Sequence, residues 1–352
     1  MAKGMGFAVV GLGMGGHHCK AVTAAKGARL VAVCDIDTDR LSTFTNQYGC
    51  KGYTKWTELL KDREIDAVCV AVESGKHAEF GIDAARAGKH IIMEKPVDIT
   101  PERVKKLRDV VKRTRVKCGC IFQSRLDNCN ILLKKAIDKG KLGKLIGVHG
   151  SLPWWRAQDY YSGPHGKWKG TWRLDGGGSL MNQGIHTVDL LQWLAGPVKS
   201  VCGFYGVFGH TIEAEDQTVA ILKYESGALG TLFTTTCAQP DRDQRLHIYG
   251  TKGSFSKLGS ALEFFEAGTD ADKRYMMDVF GARKSGERTS SDPMAVSSDG
   301  HMLIIEDLIK AVRTGRDPVI TIESAGHAVE IANAIFKSAK TGREVKISDV
   351  RK

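Results

Sequence analysis

The chain contains 352 residues, of which 42% are hydrophobic and 26% are charged, a composition typical of a globular protein of two domains and not of a disordered one. The formal charge of +11 could favour a nucleic-acid partner, but no run of five or six basic residues occurs. In the most basic stretches, 104–117 and 134–144, apolar residues recur at helical spacing. We therefore expect solvated helix faces and no nucleic acid, while the mild positive field suits phosphate-bearing cofactors and acidic sugars.

The nine cysteines are an odd number, and several of them, such as Cys34 and Cys69, lie within apolar runs typical of strands. This pattern predicts buried free thiols in a reducing compartment. Cys118 and Cys120 have no second pair at zinc spacing, so no metal site is predicted. The N-terminus enters a strand pattern instead of a signal peptide, and no apolar run approaches 18 residues. We expect a cytoplasmic protein with no membrane partner.

The first element is an apolar strand, Phe7 to Val10, which leads into Gly11-Leu12-Gly13-Met14-Gly15-Gly16 and then a helix. This is the G-x-G-x-x-G pattern in the order of strand, turn and helix that dinucleotide binding requires. The first glycine permits the tight turn, the second lets the backbone approach a pyrophosphate, and the third lets helix and strand pack closely. The helix N-terminus adds N–H groups that point at the phosphates. A purely structural glycine turn is the weaker alternative.

The second strand, Arg29 to Cys34, ends at Asp35, where a carboxylate can accept hydrogen bonds from an adenosine ribose. A carboxylate at this position repels the additional phosphate of NADP. The next residue is Ile36, where an arginine would have helped to bind that phosphate. The sequence therefore predicts NAD as the cofactor.

Helices and short strands alternate from there to residue 122. The predicted helices span 38–48, 56–61, 77–87 and 101–113, and the predicted strands span 52–53, 67–72, 90–93 and 116–122. This alternation predicts a parallel, doubly wound α/β sheet in a domain covering residues 1–122.

Glu94-Lys95-Pro96 directly follows the strand that ends at Met93. Because ligands of such sheets bind at the carboxyl ends of the strands, Lys95 is expected to face the crevice. Its positive charge could stabilise the alkoxide that develops on a substrate hydroxyl as hydride leaves. An ordinary exposed loop lysine is the alternative.

Residues 123–352 are predicted to form a second domain of the α+β class. A helix is expected at 126–138, strands at 145–152, 200–208, 217–224, 228–236, 244–249 and 262–266, and two closing helices at 301–314 and 325–338. Turn signals between the strands predict one large, mostly antiparallel open sheet. The polar stretch from Gly268 to Asp299 is expected to hold loops.

A long loop, Pro153 to Asp175, is crowded with aromatic residues interleaved with polar groups, which is typical of a site that stacks on sugar rings. The alternative is that these rings pack the loop itself. The candidate substrate-binding residues of the loop are Trp155, Tyr160, Tyr161, Trp172 and Arg173, and the candidate proton donors are Tyr160, Tyr161, His165 and Asp175.

Three glycines, Gly176 to Gly178, precede a predicted helix with a buried apolar stripe formed by Met181, Ile185, Val188 and Leu191. Asn182, His186 and Asp189 share a second face. The imidazole could act on a substrate while the carboxylate holds it in place. The alternative is that His186 and Asp189 only satisfy each other beside the core.

Together these motifs resemble the Gfo/Idh/MocA family, named for glucose–fructose oxidoreductase, inositol dehydrogenase and a rhizopine-catabolism protein. The resemblance covers essentially the whole chain and includes His301 before a helix and Ser338-x-x-Thr341-Gly342-Arg343 near the end. It implies an N-terminal Rossmann domain, a C-terminal domain whose open sheet often mediates oligomers, and a nicotinamide redox reaction on sugars, polyols or their derivatives. It also implies that Lys95 and His186 act as the catalytic pair.

The residues expected to bind the cofactor are Gly11, Gly13, Met14, Gly16, Asp35, Ile36, Val72, His77, Glu94, Lys95 and Gln123. Arg125, Asn182 and His186 join the substrate-binding candidates. Two positions depart from the family pattern. Asn182 stands where many members have aspartate, which looks like the branch with Asn-Gln-Gly-Ile-His that acts on nucleotide-linked sugars. Val72-Glu73-Ser74 stands where Thr-Pro-Asn is common beside the cofactor.

The predicted function is that of an NAD-dependent oxidoreductase that moves hydride between nicotinamide and a carbinol carbon of a sugar, polyol or nucleotide-linked sugar. His186 would be the general base, Lys95 would polarise the oxygen, and Asn182 would hydrogen-bond the substrate. One alternative is redox-neutral glycoside cleavage, in which tightly bound NAD transiently oxidises C3 before elimination. Another is a dinucleotide-sensing regulator, which needs neither Lys95 nor His186. A homo-oligomer, dimer or tetramer, is expected through the C-terminal sheet.

Overall fold

The computed structural model describes residues 4–163, 166–281 and 299–351, which form two compact units. The first unit contains residues 4–123 and 299–326. The second contains the described residues of 124–281 and residues 327–351.

The first unit is built on a six-stranded sheet in which all neighbouring strands are parallel. The strands are β1 (Met5–Val10), β2 (Ala28–Cys34), β3 (Lys51–Tyr53), β4 (Ala67–Val70), β5 (His90–Met93) and β6 (Cys118–Cys120). Their helices are α1 (Gly15–Ala24), α2 (Thr38–Tyr48), α3 (Trp56–Leu59), α4 (His77–Arg86) and α5 (Pro101–Thr114). The order β3-β2-β1-β4-β5-β6 is that of the Rossmann fold, so the predicted doubly wound sheet is confirmed.

Burial and capping explain these elements. β4 is buried at all four positions and β1 at five of six, as expected for strands covered on both faces. α5 has Pro101 in its first turn and Thr100 as its N-cap, and both residues favour a helix start. Its apolar positions Val104, Leu107 and Val110 are buried, so the periodicity of the sequence decides which face meets the sheet.

The second unit is built on an eight-stranded sheet. The strands are β7 (Leu145–Pro153), β8 (Val198–Gly206), β9 (Gln217–Tyr224), β10 (Leu229–Thr235), β11 (Arg245–Gly250), β12 (Ser254–Leu258), β13 (Ala261–Glu266) and β14 (Val345–Lys346), in the order β13-β12-β11-β7-β10-β9-β8-β14. β7 and β10 are parallel, and the other neighbouring pairs of this described sheet are antiparallel. The predicted large, mostly antiparallel sheet is therefore confirmed.

The helices of the remaining chain are α6 (Asn128–Asp138), α7 (Asp159–Ser162), α8 (Ile185–Ala195), α9 (Asp270–Phe280), α10 (Asp299–Thr314) and α11 (Ile322–Thr341). α8 packs on β7, where a Cβ added at Gly150 would lie 2.8 Å from both Leu191 and Thr187. On the opposite face of the sheet the outward residues of β9, such as Val219 and Ile221, are exposed. One face of the sheet is therefore covered and the other is open.

Two strands and two helices of the second unit were not predicted, and one of these helices, the four-residue α7, lies in the predicted loop from Pro153 to Asp175. β12 and β14 are short, and β12 lies directly after the turn that the sequence indicated at Thr251-Lys252-Gly253. α9 occupies part of the stretch expected to hold loops. Thr269 caps it in a capping box with Asp272, and Met276 is its buried residue, so it lacks an apolar stripe that periodicity could detect. The rest of that predicted loop, 282–298, lies outside the described residues.

Residues 299–326 pack with the first unit, whereas the sequence-based division placed them in the C-terminal domain. α10 packs against α1 and β6, and the N–H of Cys120 in β6 donates to the carbonyl of Ile320 at 3.1 Å. The buried face of α10 contains Ile304, Ile305 and Leu308. Periodicity identifies such a face but does not say which sheet it covers.

Within the described residues, no helix combines the length and apolar character needed to cross a membrane. All nine cysteines are free thiols, and six of them are buried. The prediction of buried free thiols is confirmed for those six.

Candidate active site

The loop between β1 and α1 requires glycine at position 11 and leaves open space at position 13. Gly11 has a φ of 84°, and a Cβ built on it would lie 2.5 Å from the carbonyl oxygen of Ala71. A Cβ on Gly13 would meet no atom within 4 Å, and Met14 beside it is 40% exposed. The backbone here is accessible to a phosphate group at a helix N-terminus, which is the fit that a dinucleotide requires.

The close packing that the sequence assigned to Gly16 belongs mainly to its neighbour. A Cβ on Gly15 would lie 2.9 Å from the side chain of Val9 in β1, whereas one on Gly16 would lie 3.3 Å from Phe44 in α2. Gly15 therefore brings α1 close to the sheet, and Gly16 brings it close to α2. The motif alone could not distinguish the two because both glycines are adjacent.

Asp35 follows β2 as predicted and is tied to the glycine loop. Its Oδ2 accepts the N–H of Leu12 at 2.7 Å, and its Oδ1 accepts the N–H of Asp37 at 2.9 Å. Ile36 is 91% exposed, so its apolar side chain is available to a ligand. The carboxylate is held at the end of the strand, where the ribose of a dinucleotide would meet it.

Arg40 in α2 is a residue that the sequence analysis missed. Its guanidinium lies 3.4 Å from Asp35 and 3.3 Å from Asp37. The positive charge of Arg40 in α2 therefore partly neutralises the carboxylate of Asp35. Arg40 lies five residues after Asp35, in the first turn of α2, and this short separation could have indicated the contact.

The loops after β4 and β5 are joined by His77, the first residue of α4. Its Nδ1 lies 2.6 Å from the carbonyl oxygen of Pro96, and its Nε2 lies 3.0 Å from that of Val72. His77 is buried and Lys95 is half-buried. Two predicted cofactor-binding positions, Val72 and His77, therefore have a clear structural role in holding the loop of Lys95.

Glu94 is held by two histidines that the sequence analysis did not place in the site. Its Oε1 lies 2.8 Å from Nε2 of His18 and 3.2 Å from Nε2 of His301, and its Oε2 accepts the N–H of Lys95 at 2.9 Å. Burial lowers the pKa of His18. Burial alone would raise the pKa of Glu94, but the hydrogen bonds from both histidines hold it well below its usual value. An ionised carboxylate thus anchors the start of the Lys95 loop.

Gln123 begins a 3₁₀ helix, Gln123–Leu126, and the oxygen of its side-chain amide is buried with no hydrogen-bond partner among the described residues. This acceptor would suit a donor group of a cofactor. Arg125 lies further along the same short helix. Its Nε donates to Oδ2 of Asp189 at 2.7 Å, and its Nη2 donates to the other carboxylate oxygen.

The pairing of Asp189 with Arg125 replaces the predicted pairing of Asp189 with His186. Both side chains of the ion pair are almost fully buried. Burial raises the pKa of Asp189, and the charge of Arg125 opposes this rise. The substrate-binding role predicted for Arg125 stays a prediction, because its guanidinium is already engaged in holding α8.

Asn182 lies in a network of buried polar side chains. Its amide nitrogen donates to Oδ1 of Asp175 at 2.7 Å, and its oxygen accepts from the amide of Gln183 at 3.3 Å. Gln183 also donates to the hydroxyl of Tyr160 at 2.8 Å and accepts from Arg156 at 3.3 Å. The sequence offered Asp175 only as a proton donor, and Gln183 and Arg156 were missed because their partners are distant along the chain.

His186 lies in the first turn of α8, directly after a π-helical segment, Ser179–Gly184. His186 and Trp193 are the α8 residues that are not buried, and the predicted apolar stripe of the helix is buried throughout. The π-helix was not predicted, and segments of this kind are frequent at functional sites. The structure therefore places the half-buried His186 at the start of a helix in which only Trp193 is likewise not buried.

Glu215 secures the start of the π-helix. Its carboxyl group accepts the N–H groups of Gly178, Ser179 and Leu180 at 3.1, 3.3 and 2.9 Å. It is fully buried, and this burial raises its pKa to about 8 despite the three hydrogen bonds. Glu215 was missed, since it lies far along the chain in the segment before β9.

The aromatic residues of the 153–175 loop divide into two groups. Tyr161 and Trp172 pack within the unit: Tyr161 is buried with its hydroxyl 2.9 Å from Oγ1 of Thr236, and Trp172 packs against Tyr205 and Phe336. Tyr160 is half-buried beneath the amine of Lys169, and Trp155 and Arg173 are exposed. Packing explains the first group, and the second group remains available to a ligand. The candidate donor His165 lies outside the described residues.

Two family models match the chain. One, described as an oxidoreductase family with an NAD-binding Rossmann fold, matches residues 5–122, and the other, the GFO/IDH/MocA C-terminal domain, matches residues 131–256. Together they cover well over half of the chain. The chain belongs to the Gfo/Idh/MocA family.

Relatives of this Gfo/Idh/MocA protein match it over nearly its whole length. A scyllo-inositol 2-dehydrogenase (NAD(+)) from Bacillus subtilis is 27% identical over 98% of this chain and 96% of its own. A levoglucosan dehydrogenase from Pseudarthrobacter phenanthrenivorans is 26% identical over 87% of this chain and 86% of its own. The WlbA dehydrogenase of Bordetella pertussis, solved with NADH and UDP-GlcNAcA, is 27% identical, has a TM-score of 0.88 and matches 98% of both chains.

These similarities agree with the glycine loop and Asp35. The predicted family, the predicted NAD cofactor and the prediction of an oxidoreductase are confirmed. A non-catalytic dinucleotide sensor is disfavoured, since the relatives described above are dehydrogenases.

Proposed function

We propose that the protein transfers hydride between NAD and a carbinol carbon of a sugar, polyol or nucleotide-linked sugar. The observation that carries this proposal is the placement of His186. It is a half-buried histidine in the first turn of α8, and the neighbouring polar groups Asp189 and Asn182 are already engaged by Arg125 and Asp175. A titratable group in such a position suits general base catalysis at a substrate hydroxyl.

NAD supplies the hydride acceptor or donor when it is bound. We assign its pyrophosphate to the N–H groups around Gly13, its ribose to Asp35 and its adenine to the exposed side chain of Ile36. The open space at Gly13 and the exposure of Ile36 support this assignment. Gln123, with its buried amide oxygen, is a further candidate contact.

We assign Lys95 to the substrate oxygen. The lysine directly follows β5 at the carboxyl end of the parallel sheet, and Glu94, His18 and His77 fix the loop that carries it. A positive charge at this position stabilises the oxygen as its proton leaves, and His186 takes up that proton. Asn182 is held by Asp175, so we assign it the role of orienting the substrate through a hydrogen bond.

Substrates of the carbohydrate class are supported by what the relatives bind or act on: inositol, levoglucosan and, in one crystal structure, UDP-GlcNAcA. Tyr160, Trp155 and Arg173 are the loop residues best placed to contact such a ligand. The half-buried ring of Tyr160 lies beside Gln183 and Lys169, and this combination of ring and polar groups suits a sugar.

A panel of free sugars, polyols, nucleotide-linked sugars and aryl glycosides tests this proposal. A dehydrogenase should form one NADH for each sugar oxidised. Redox-neutral glycoside cleavage would instead release aglycone without net NADH and would exchange the C2 hydrogen with heavy water. Release of several aglycone molecules per bound NAD would show glycoside cleavage instead of net oxidation of the sugar. Mass spectrometry of small molecules released on denaturation would identify a trapped sugar.

We further propose that the open face of the eight-stranded sheet joins copies of the chain in a homo-oligomer, a dimer or a tetramer. Phe204 of β8 lies opposite Val219 of β9, and both are exposed, as are Ile221, Leu229 and Ile146 on neighbouring strands. An exposed apolar patch of this extent is typical of a protein interface. The nine free thiols support a cytoplasmic location.

A further inference from the structure

A cluster of three side chains in the second unit lies outside the site described above. It consists of His210 after β8, Asp216 before β9 and Cys237 after β10. Nδ1 of His210 lies 3.1 Å from Oδ2 of Asp216 and 3.5 Å from Sγ of Cys237. The side chains of His210 and Asp216 are almost completely buried, and Cys237 is half-buried.

The hydrogen bonds of His210 determine where its protons lie. Its Nε2 is 2.8 Å from the carbonyl oxygen of Arg156, so Nε2 must carry a hydrogen and donate it. In a neutral ring Nδ1 then presents a lone pair to the carboxylate of Asp216. Two acceptors at 3.1 Å require a cation between them, either a proton on Nδ1 or a metal ion.

The Asp216 carboxylate is fixed in position by backbone groups. Oδ1 accepts the N–H of Phe208 at 2.8 Å, and Oδ2 accepts the N–H groups of Gly209 and His210 at 2.9 and 3.0 Å. These bonds hold the loop after β8 around the carboxylate before any ion binds. A preformed arrangement of this kind lowers the entropy lost when a ligand binds.

The donor types and their separations suit a metal ion. Metal–nitrogen and metal–oxygen bonds of about 2.0–2.1 Å and a metal–sulfur bond of about 2.3 Å place tetrahedral donors roughly 3.3–3.6 Å apart. The separations of 3.1 and 3.5 Å from Nδ1 are close to these values. Cys237 contacts the carboxylate of Asp216 as well as the ring of His210, so the three donor atoms lie within 4.8 Å of one another.

His18, Glu94 and His301 form a second cluster of histidine and carboxylate side chains. Unlike His210, its histidines make no hydrogen bond to the described residues through their second ring nitrogen. The Nδ1 atoms of His18 and His301 have no hydrogen-bond partner in the described structure. A metal-ligating histidine almost always donates from its second nitrogen to a carbonyl or carboxylate, as His210 does to Arg156. The first-unit cluster is therefore an anchor for Glu94.

We propose that His210, Asp216 and Cys237 bind a divalent transition-metal ion of the zinc class, with the fourth position open to water or a ligand. Nitrogen, oxygen and sulfur donors together suit zinc better than magnesium or calcium. Binding releases two protons to solvent: the thiol proton of Cys237 as the metal–sulfur bond forms, and the proton between Nδ1 of His210 and Asp216, which the ion replaces. No electron is transferred.

The ion would tie together three segments that support the second unit's polar network. His210 packs against Tyr161 at a ring-centroid distance of 4.8 Å, Asp216 follows Glu215, and Cys237 follows the end of β10. Glu215 holds the start of the π-helix through backbone N–H groups. A bound metal should therefore stabilise the second unit against unfolding.

Cobalt titration of the full-length protein after chelator treatment tests this proposal. One Co²⁺ per chain should bind and produce the near-ultraviolet absorption of a thiolate–cobalt bond, and Zn²⁺ should abolish that absorption by competition. Cys237→Ser should lose the band, while Cys202→Ser, which alters another half-buried cysteine of the same unit, should keep it. His210→Gln should bind Co²⁺ at least roughly tenfold more weakly.

Two results would overturn the proposal. Wild-type protein that forms no thiolate–cobalt band would mean that a proton alone joins His210 to Asp216. A Cys237→Ser variant that keeps the band would place the cobalt on another cysteine. Both comparisons use proteins whose folding can be checked by circular dichroism, and the wild-type titration decides the question even if a variant does not fold.

Discussion

Asp35 and Arg40 lie 3.4 Å apart at the position where we expect the protein to discriminate between dinucleotides. NAD(H) should bind roughly tenfold or more tightly than NADP(H), a difference of about 1.4 kcal/mol, because Asp35 accepts a ribose hydroxyl and repels a phosphate. Arg40 pairs with both Asp35 and Asp37, and in Asp35→Ser it would lose the first of these two carboxylates. This variant should therefore gain NADP(H) affinity, and Asp35→Ser/Arg40→Ala should lose the gain. Fluorescence titration measures all three, and equal wild-type affinities would contradict the assignment.

Lys95 and His186 are expected to act on the substrate and not on the dinucleotide. Lys95→Met and His186→Ala should each lose most turnover, on the order of 10²–10⁴-fold, while NAD still binds. Steady-state kinetics on the identified substrate, with NAD titration alongside, checks both parts. Near-normal turnover in either variant would remove that residue from the catalytic assignment.

Asn182→Asp would place two carboxylates in contact, because Asn182 donates to Asp175 at 2.7 Å. Like charges at this distance raise the pKa of the pair above the unfolded value. A carboxyl group whose pKa is higher in the folded than in the unfolded protein contributes stability at a pH below its unfolded pKa. This contribution is lost as the pH rises through the folded pKa. The variant should therefore be less stable than wild type, and the deficit should be larger at pH 7 than at pH 5.

Thermal unfolding at both pH values measures this deficit. The exchanged pair Asp175→Asn/Asn182→Asp is the matched control, because it restores one amide and one carboxylate at the same two positions. Equal stability of Asn182→Asp and wild type at pH 7 would contradict the contact between the two side chains.

At the scale of elements, α8 depends on the ion pair between Arg125 and Asp189. Removing one partner of a buried pair leaves an uncompensated charge, so Arg125→Met should lower the unfolding free energy by about 3–5 kcal/mol at neutral pH. The loss should shrink at low pH, where Asp189 takes up a proton. Arg125→Met/Asp189→Leu should recover much of the stability. Chemical denaturation measures these changes, and a loss under 1 kcal/mol would show that the pair is not needed.

The elements that the sequence predicted well are those with local signals. The glycine loop, Asp35 and the strands other than β12 and β14 follow from turn residues and hydrophobic periodicity within short windows. The π-helix before α8 escaped prediction, because the stripe of Met181, Ile185 and Val188 is compatible with a continuous α-helix. α9 escaped because one buried methionine is not a periodic pattern.

The hydrogen-bond partners of polar side chains were harder to predict than the helices and strands. Asp189 was expected to orient His186 three residues away, yet it binds Arg125, which lies 64 residues earlier in the chain. His301 reaches Glu94 across 207 residues. Such contacts are fixed by tertiary packing, and no local pattern contains them. The residue types of the candidate site could therefore be proposed from sequence, but their hydrogen-bond partners could not.

At the scale of the whole molecule, the open sheet face should control association. Replacing Phe204, which is 69% exposed on β8, by lysine should dissociate the proposed oligomer, because desolvating a charge at an apolar interface is costly. Val319→Lys, at an exposed apolar position of the first unit, is the matched control and should leave the mass unchanged. Sedimentation or light scattering measures this, and a monomeric wild type would refute the proposed interface.

Residues 299–326 pack with the first unit although they come late in the chain, and this affects how the protein folds during synthesis. Domains usually fold in the order in which they leave the ribosome, with the N-terminal one first. Here α10 packs on α1 and β6, and Ile320 accepts a hydrogen bond from Cys120. The first unit therefore cannot be completed until the chain has been made beyond residue 326. His18 can contact Glu94 early in synthesis, but His301 can join them only after the segment that carries it has been made, so the anchor of the Lys95 loop is completed late.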